Sequence, residues 1–294
     1  MLDDVVIEPP ARAPRLSIGI RYMIAGAFFF SVMSLFVKLA GRRLPSQEIV
    51  FARSLIMTVI CLVALRRRAI PPLGTRRRLL LLRSGFGFAA LSCFYYALVH
   101  LPLADATVIQ YTNPVFTALL AVFLLRERLR PVELAGLALS LLGVLIVARP
   151  SFLFGTAARL PLVPVLVALG GAVCSGTAYV LVRKLESEHY LVVILYFSML
   201  SVLGSFPFLL HQAVLPRGWE WLVLLGVGLS TQAGQVFLTR GLHRERAGRA
   251  TAATLVQVVF AAFWGVLVFG EVPDVWVLFG SALIIGSILA LGRG

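Results

Sequence analysis

Apolar residues fall in ten runs of about twenty, near 19–40, 46–65, 79–99, 103–125, 131–149, 160–184, 190–212, 219–240, 247–270 and 273–292, separated by short clusters of charge, proline and glycine. About twenty residues of α-helix cover the roughly 30 Å of a bilayer's hydrocarbon core. Runs such as LAGLALSLLGVLIV are apolar on every face, whereas barrel strands alternate over about 10 residues. The pattern therefore predicts an all-α membrane protein with ten transmembrane helices. Composition agrees: 60% of the 294 residues are hydrophobic and the mean hydropathy is +0.94, more apolar surface than one soluble domain can bury. Ten spans use nearly the whole length and leave no room for a soluble catalytic domain.

The net charge of +14, from 27 Lys+Arg against 13 Asp+Glu, would suit a nucleic-acid partner, but the basic residues sit between the apolar runs and read as topology signals. With the N-terminus inside, the cytoplasmic side collects twenty of them, including Arg66, Arg67, Arg68, Arg76, Arg77, Arg78 and Arg83. The other side collects six, and Arg53 falls within a span. The expectation is cytoplasmic N- and C-termini in a plasma membrane. Only Lys38 and Lys184 are lysine, a bias of GC-rich genomes that points to a bacterial inner membrane. Residues 1–17 are acidic, contain proline and lack the apolar core of a signal peptide, so they read as a disordered cytoplasmic tail. Cys61, Cys93 and Cys174 lie in apolar runs without CxxC or Cys/His spacing, which supports neither a disulfide framework nor a metal site.

A shift of 144 residues superimposes the first five spans on the last five without a gap. The matches that composition does not explain are Glu127 with Glu271 and Gly136 with Gly280, a glutamate followed nine residues later by glycine in both halves. Five spans per unit place the second half upside down, as in the inverted repeats of many secondary transporters. The stretch LPLADATVIQYTNPVFTALLAVFLLRERLRPVELAGLALSLLGVLIV and its echo AGRATAATLVQVVFAAFWGVLVFGEVPDVWVLFGSALIIGSILAL resemble the paired EamA domains of the drug/metabolite transporter superfamily. The resemblance implies a first repeat over 18–149 and a second over 160–292. It also implies a carrier of small metabolites, and the first half is most similar to bacterial S-adenosylmethionine uptake proteins and to amino acid and metabolite exporters.

Arg53 is the most informative residue. It lies seven positions beyond Ser46, about 10 Å along a helix, where a charge is costly unless it is paired or faces a polar cavity. The competing structural reading pairs it with Glu48 or Glu271, or lets it snorkel. Gln110, Tyr111, Asn113 and Pro114 interrupt the fourth span, where the proline frees a backbone carbonyl and favours a kink. Gln257 is the counterpart of Asn113 in the ninth span. The candidate substrate contacts are thus Arg53, Tyr96, Gln110, Asn113, Tyr179 and Gln257, with Pro114 as a gating kink and Lys38, Glu127 and Glu271 as possible additions. Glu127 and Glu271 end spans on opposite sides, where a carboxylate bonding backbone or a neighbouring arginine is the plainer alternative to proton coupling. The sets G136xxxS140, G171xxxS175, S230xxxG234 and A282xxxG286 read as close helix packing. Gly85–Ala90 spells GxGxxA but follows no strand, so no dinucleotide site is expected.

Motifs of other chemistries are missing: the sequence has no HExxH, GxSxG or GxxxxGK[ST], and its four histidines lie near span ends. The expectation is no enzyme, no cofactor and no metal. The chain reads as a secondary active transporter of a small organic metabolite that bears a carboxylate, such as an amino acid or S-adenosylmethionine. It would work by alternating access, with a coupling proton or counter-substrate. The alternative is an intramembrane enzyme or a lipid-carrier flippase.

Overall fold

A computed structural model describes residues 16–293 apart from 102, 129, 150–152, 154–160, 271, 273 and 274; the N-terminal tail up to residue 15 and Glu271 lie outside the described residues. The helices are α1 (Ile18–Ala40), α2 (Ser46–Arg67), α3 (Arg77–His100), α4 (Leu103–Gln110), α5 (Asn113–Leu125) and α6 (Pro131–Ala148). Then come α7 (Leu162–Lys184), α8 (Tyr190–Gln212), α9 (Glu220–Arg244), α10 (Ala247–Ala253), α11 (Gln257–Phe269) and α12 (Val275–Arg293). No strand occurs among the described residues. Among the described residues nine segments are long and apolar enough to cross a membrane, with α4–α5 and α10–α11 each acting as one broken span; a tenth apolar segment, Val275–Ala290, is shorter. The protein is an all-α membrane protein built of two repeats.

Moving α1 by 144 residues gives both ends of α7, and moving α5 gives both ends of α11; the remaining pairs agree to within one residue at each end. The packing obeys the same exchange. The α1–α9 seam is matched by α7–α3, α2–α9 by α8–α3 and α5–α7 by α11–α1, while α2–α8 and α6–α12 pair with themselves across the pseudo-two-fold axis. On that axis Ser140 and Ser287 are hydrogen-bonded, and the α6 and α12 backbones nearly touch. A Cβ on Gly143 would stand 2.7 Å from the Gly280 carbonyl oxygen, and one on Gly280 would stand 2.8 Å from that of Gly143. Gly171 and Gly234 likewise sit against Cys93 and Phe30. The set A282xxxG286 departs from its packing expectation: both residues are exposed and a Cβ on Gly286 would meet nothing within 4 Å, because they lie on the outward side of α12.

Both broken spans part at equivalent places. In the first repeat Pro114 has no N–H to give to the Gln110 carbonyl, and Asn113 Nδ2 donates to that oxygen instead, at 2.8 Å. Thr112 caps the gap, its backbone N–H and hydroxyl both donating to the Ile109 carbonyl. The second repeat has no proline there and tightens into a 3₁₀ turn at Thr254–Val256, which the 144-residue shift places on Gln110–Thr112.

The basic face of the bundle is tied shut by a set of bonds between its connections. On the basic face, where α2, α5, α7 and α9 end and α3, α6, α8 and α10 begin, the Glu188 carboxylate accepts the backbone N–H groups of Thr75 at 2.8 Å and Arg76 at 2.6 Å as well as the Thr75 hydroxyl. Burial alone would raise the Glu188 pKa, but these bonds and the charge of Arg76 outweigh it and hold the carboxyl below its ordinary range. Glu127 accepts the Ala247 N–H at 3.1 Å, at the start of α10, and pairs with Arg183 Nε at 3.5 Å. Arg183 Nη1 in turn donates to the His243 carbonyl at 2.6 Å, and Arg246 pairs with Glu133 at 2.7 Å. At the opposite face the ties include Arg43 with Glu220 and the Leu215 carbonyl, and Glu48 with the Val214 N–H at 2.9 Å.

Candidate functional site

Two arginines are buried at membrane depth. Arg53 on α2 is 5% exposed, and its Nη1 finds only the weak acceptor Met33 Sδ at 3.6 Å while Nε has no partner. Neither acid that the sequence offered as a partner takes it up: Glu48 is engaged with Val214, and Glu271 lies outside the described residues. Among the described residues no ion pair involves Arg53.

Arg83 on α3 is 3% exposed, which the sequence did not anticipate. Its sequence position groups it with the cytoplasmic arginines, yet it lies six residues inside the helix, about 9 Å from its start. Removing it from that count leaves nineteen basic residues against six, so the asymmetry survives. Its Nη2 reaches Gln235 Oε1 at 3.4 Å, its guanidinium carbon stands 4.3 Å above the Phe197 ring, and Nε and Nη1 have no acceptor. The signal for this residue was Gly87, one turn on. A Cβ there would lie 3.0 Å from the Phe197 ring and 3.4 Å from Arg83 Nη1, so the small residue leaves room for both side chains.

The other candidates divide between these two places and the rim. Tyr179, on α7, is paired with the Ser175 side chain and lies near enough to Arg83 to interact with its charge. Tyr111, at the α4–α5 break, interacts with Tyr179. The break itself presents two buried acceptors without partners, Gln110 Oε1 and Asn113 Oδ1. Gln257 starts α11 and is half-buried. The structure therefore gathers Tyr179 and Gln235 near Arg83, with Tyr111 on the far side of Tyr179. Tyr96 stands apart, 39% exposed and stacked on His100 with ring centroids 4.0 Å apart, at the opposite face. Lys38 is exposed in the last turn of α1. Glu127 is engaged at the basic face with a helix N-terminus and an arginine. The half-buried Trp264 donates from Nε1 to Ser31 Oγ at 3.0 Å and so belongs to the α1–α11 seam. Among the described residues no group of His, Cys, Asp or Glu is arranged to hold a metal ion.

Orphaned guanidinium N–H groups and amide oxygens inside an apolar bundle are costly to keep dry. A solute that brings both acceptors and donors would complete their hydrogen bonds. The arrangement fits reversible binding of a small polar molecule and offers no nucleophile paired with a base.

Comparison with known proteins gives the same picture. The model of the EamA-like transporter family matches residues 17–149 and 162–293. The pseudopaline exporter CntI of Pseudomonas aeruginosa is 33% identical over 95% of this chain and 97% of its own. Human solute carrier family 35 member G1 is also 33% identical, over 95% of this chain and 80% of its own. A solved crystal structure with 22% identity superimposes with a TM-score of 0.83, covering 95% of this chain and 99% of that one, and so shares the fold.

Proposed function

The chain belongs to the EamA-like transporter family, whose members are membrane transporters and not enzymes, and from that premise we propose that it carries a small, carboxylate-bearing organic metabolite by alternating access. The observation that carries this reading is Arg53. A guanidinium cannot shed its proton in practice and prefers the bidentate geometry of a carboxylate, so a buried one facing only a thioether is left waiting for an anion. Amino acids and S-adenosylmethionine carry such a group, and a relative named as an exporter of pseudopaline supports a small organic cargo. Gln110, Asn113, Tyr179 and Gln257 contact the remainder of the solute, and Tyr96 borders the opposite face. The two repeats, spanning 18–149 and 160–292, exchange conformations as access alternates, and the broken spans at Pro114 and at Thr254–Val256 supply the movement. The basic face is cytoplasmic, with both termini inside, in the inner membrane of a bacterium. A proton or a counter-substrate drives the cycle.

The test is binding to purified, monodisperse protein. Arg53→Ala loses a charge-assisted bond of about 1.5–3 kcal/mol, roughly a tenfold to hundredfold drop in affinity. Arg53→Lys, which keeps the charge and loses the fork, weakens binding less. Wild-type affinity in a folded Arg53→Ala protein would show that Arg53 is structural and remove the ground for an anionic substrate.

A further inference from the structure

We propose that Arg83 is a second anion-binding station, the pseudo-symmetric complement of Arg53, and that the substrate's carboxylate passes from one to the other as access alternates. The proposal deepens the reading of Arg53 and rests on it for the charge of the substrate. Exchanging the two halves carries Arg53 to position 197, where Phe197 stands, and Arg83 to position 227, where Val227 stands. Phe197 is the ring over which Arg83 lies. The α8–α3 seam thus holds Phe197 and Arg83, and its counterpart α2–α9 holds Arg53 and Val227. Each seam contains one arginine and one apolar residue, with the arginine on the other partner helix. A structural arginine has no reason to recur once per seam at non-equivalent positions, but two stations for one anion do.

Burial supports the same conclusion. Arg83 is 97% removed from solvent, it forms no ion pair among the described residues, and two of its donors, Nε and Nη1, have no acceptor. A buried cation with open donors is stabilised when an oxyanion arrives, and the neighbouring Tyr179 and Gln235 offer further hydrogen-bonding groups. Depth assigns the order. Arg53 sits about 10 Å from the opposite-face end of α2 and Arg83 about 9 Å from the basic-face end of α3, so each lies nearer to a different exit. With the basic face tied shut, Arg53 is the station for a solute arriving from the opposite face, and Arg83 becomes reachable when the basic face opens. The solute class is a small organic carboxylate.

The experiment is counterflow of labelled L-glutamate, succinate and S-adenosylmethionine in membrane vesicles of both orientations, with folding checked by monodispersity and Tm. In Arg83→Gln the half-saturating concentration rises tenfold or more for solute presented at the basic face and stays within twofold at the opposite face. Arg53→Ala shows the reverse, and Arg83→Lys restores part of the basic-face affinity. An equal rise at both faces, or none at the basic face, overturns the second station. If Arg53→Ala keeps its one-sided effect in that case, the proposed function stands without it. Absence of counterflow for all three probes in the wild type would overturn the carboxylate reading and this inference together. Should Arg83→Gln fail to fold, Arg83→Lys supplies the same sided comparison.

Discussion

Glu127 is where the closure of the basic face can be challenged most directly. Its carboxylate accepts the Ala247 N–H that opens α10 and pairs with Arg183, which is bonded to the carbonyl end of α9. Glu127→Ala leaves that N–H without its acceptor and unhooks Arg183. Losing a helix-start acceptor costs about 1 kcal/mol, and the arginine pair adds nothing to it because its attraction goes to offsetting the burial of the carboxylate. Since Arg246–Glu133 remains in place, the shift toward the state open at the basic face is about 1 kcal/mol, or roughly fivefold in population. His243→Cys, at the joint between α7 and α9 and in a background without Cys61, Cys93 and Cys174, reports it through the rate of maleimide labelling. The charge itself acts in the other direction. Burial, only partly offset by the Ala247 N–H and by Arg183 and Arg246, raises the Glu127 carboxyl above its ordinary range. A carboxyl released to water titrates lower, so the closed arrangement holds the proton more tightly and falling pH favours closure. Glu127→Gln, which keeps an acceptor and drops the charge, therefore labels no faster than wild type. Labelling of the wild type, normalised to an exposed thiol, slows as pH falls from neutral toward the ordinary carboxylate range. An unchanged rate in a folded Glu127→Ala protein, or faster labelling in Glu127→Gln than in Glu127→Ala, would refute the argument.

Three further outcomes are expected. Gly143→Val drives a side chain into the Gly280 carbonyl and Ile284, so the α6–α12 seam is overpacked by about 1–3 kcal/mol, visible as a lower Tm of the purified protein. Gly87→Leu displaces Arg83 from Phe197 and reproduces the Arg83→Gln phenotype in sided counterflow, with little effect on entry from the opposite face. Leu73→Cys, half-exposed between α2 and α3, is labelled by an impermeant reagent only after cells are permeabilised; ready labelling of intact cells would invert the topology.

The helices were legible because a bilayer imposes one length on every span and the 144-residue repeat states each boundary twice. Even the break in the fourth span was written in Pro114, but its partner at Thr254–Val256 contains no proline and was visible only through the repeat. The site was less legible, and Arg83 shows why. Charges in a connection are summed by side, and that sum cannot distinguish an arginine in the loop from one a turn and a half inside the next helix and turned inward. The orientation is fixed by three-dimensional neighbours, Phe197 from α8 and Gln235 from α9, which lie more than a hundred residues away. Arg53 announced itself because it is the one basic residue inside an otherwise apolar run, whereas Arg83 was hidden by six arginines that precede it. The two differ in sequence context and share a physical state, a buried guanidinium with open donors. Both belong to the first repeat, one in the α2–α9 seam and one in the α3–α8 seam, and because the pseudo-two-fold axis exchanges these two seams, a solute that sees first one seam open and then the other would meet the two arginines in turn.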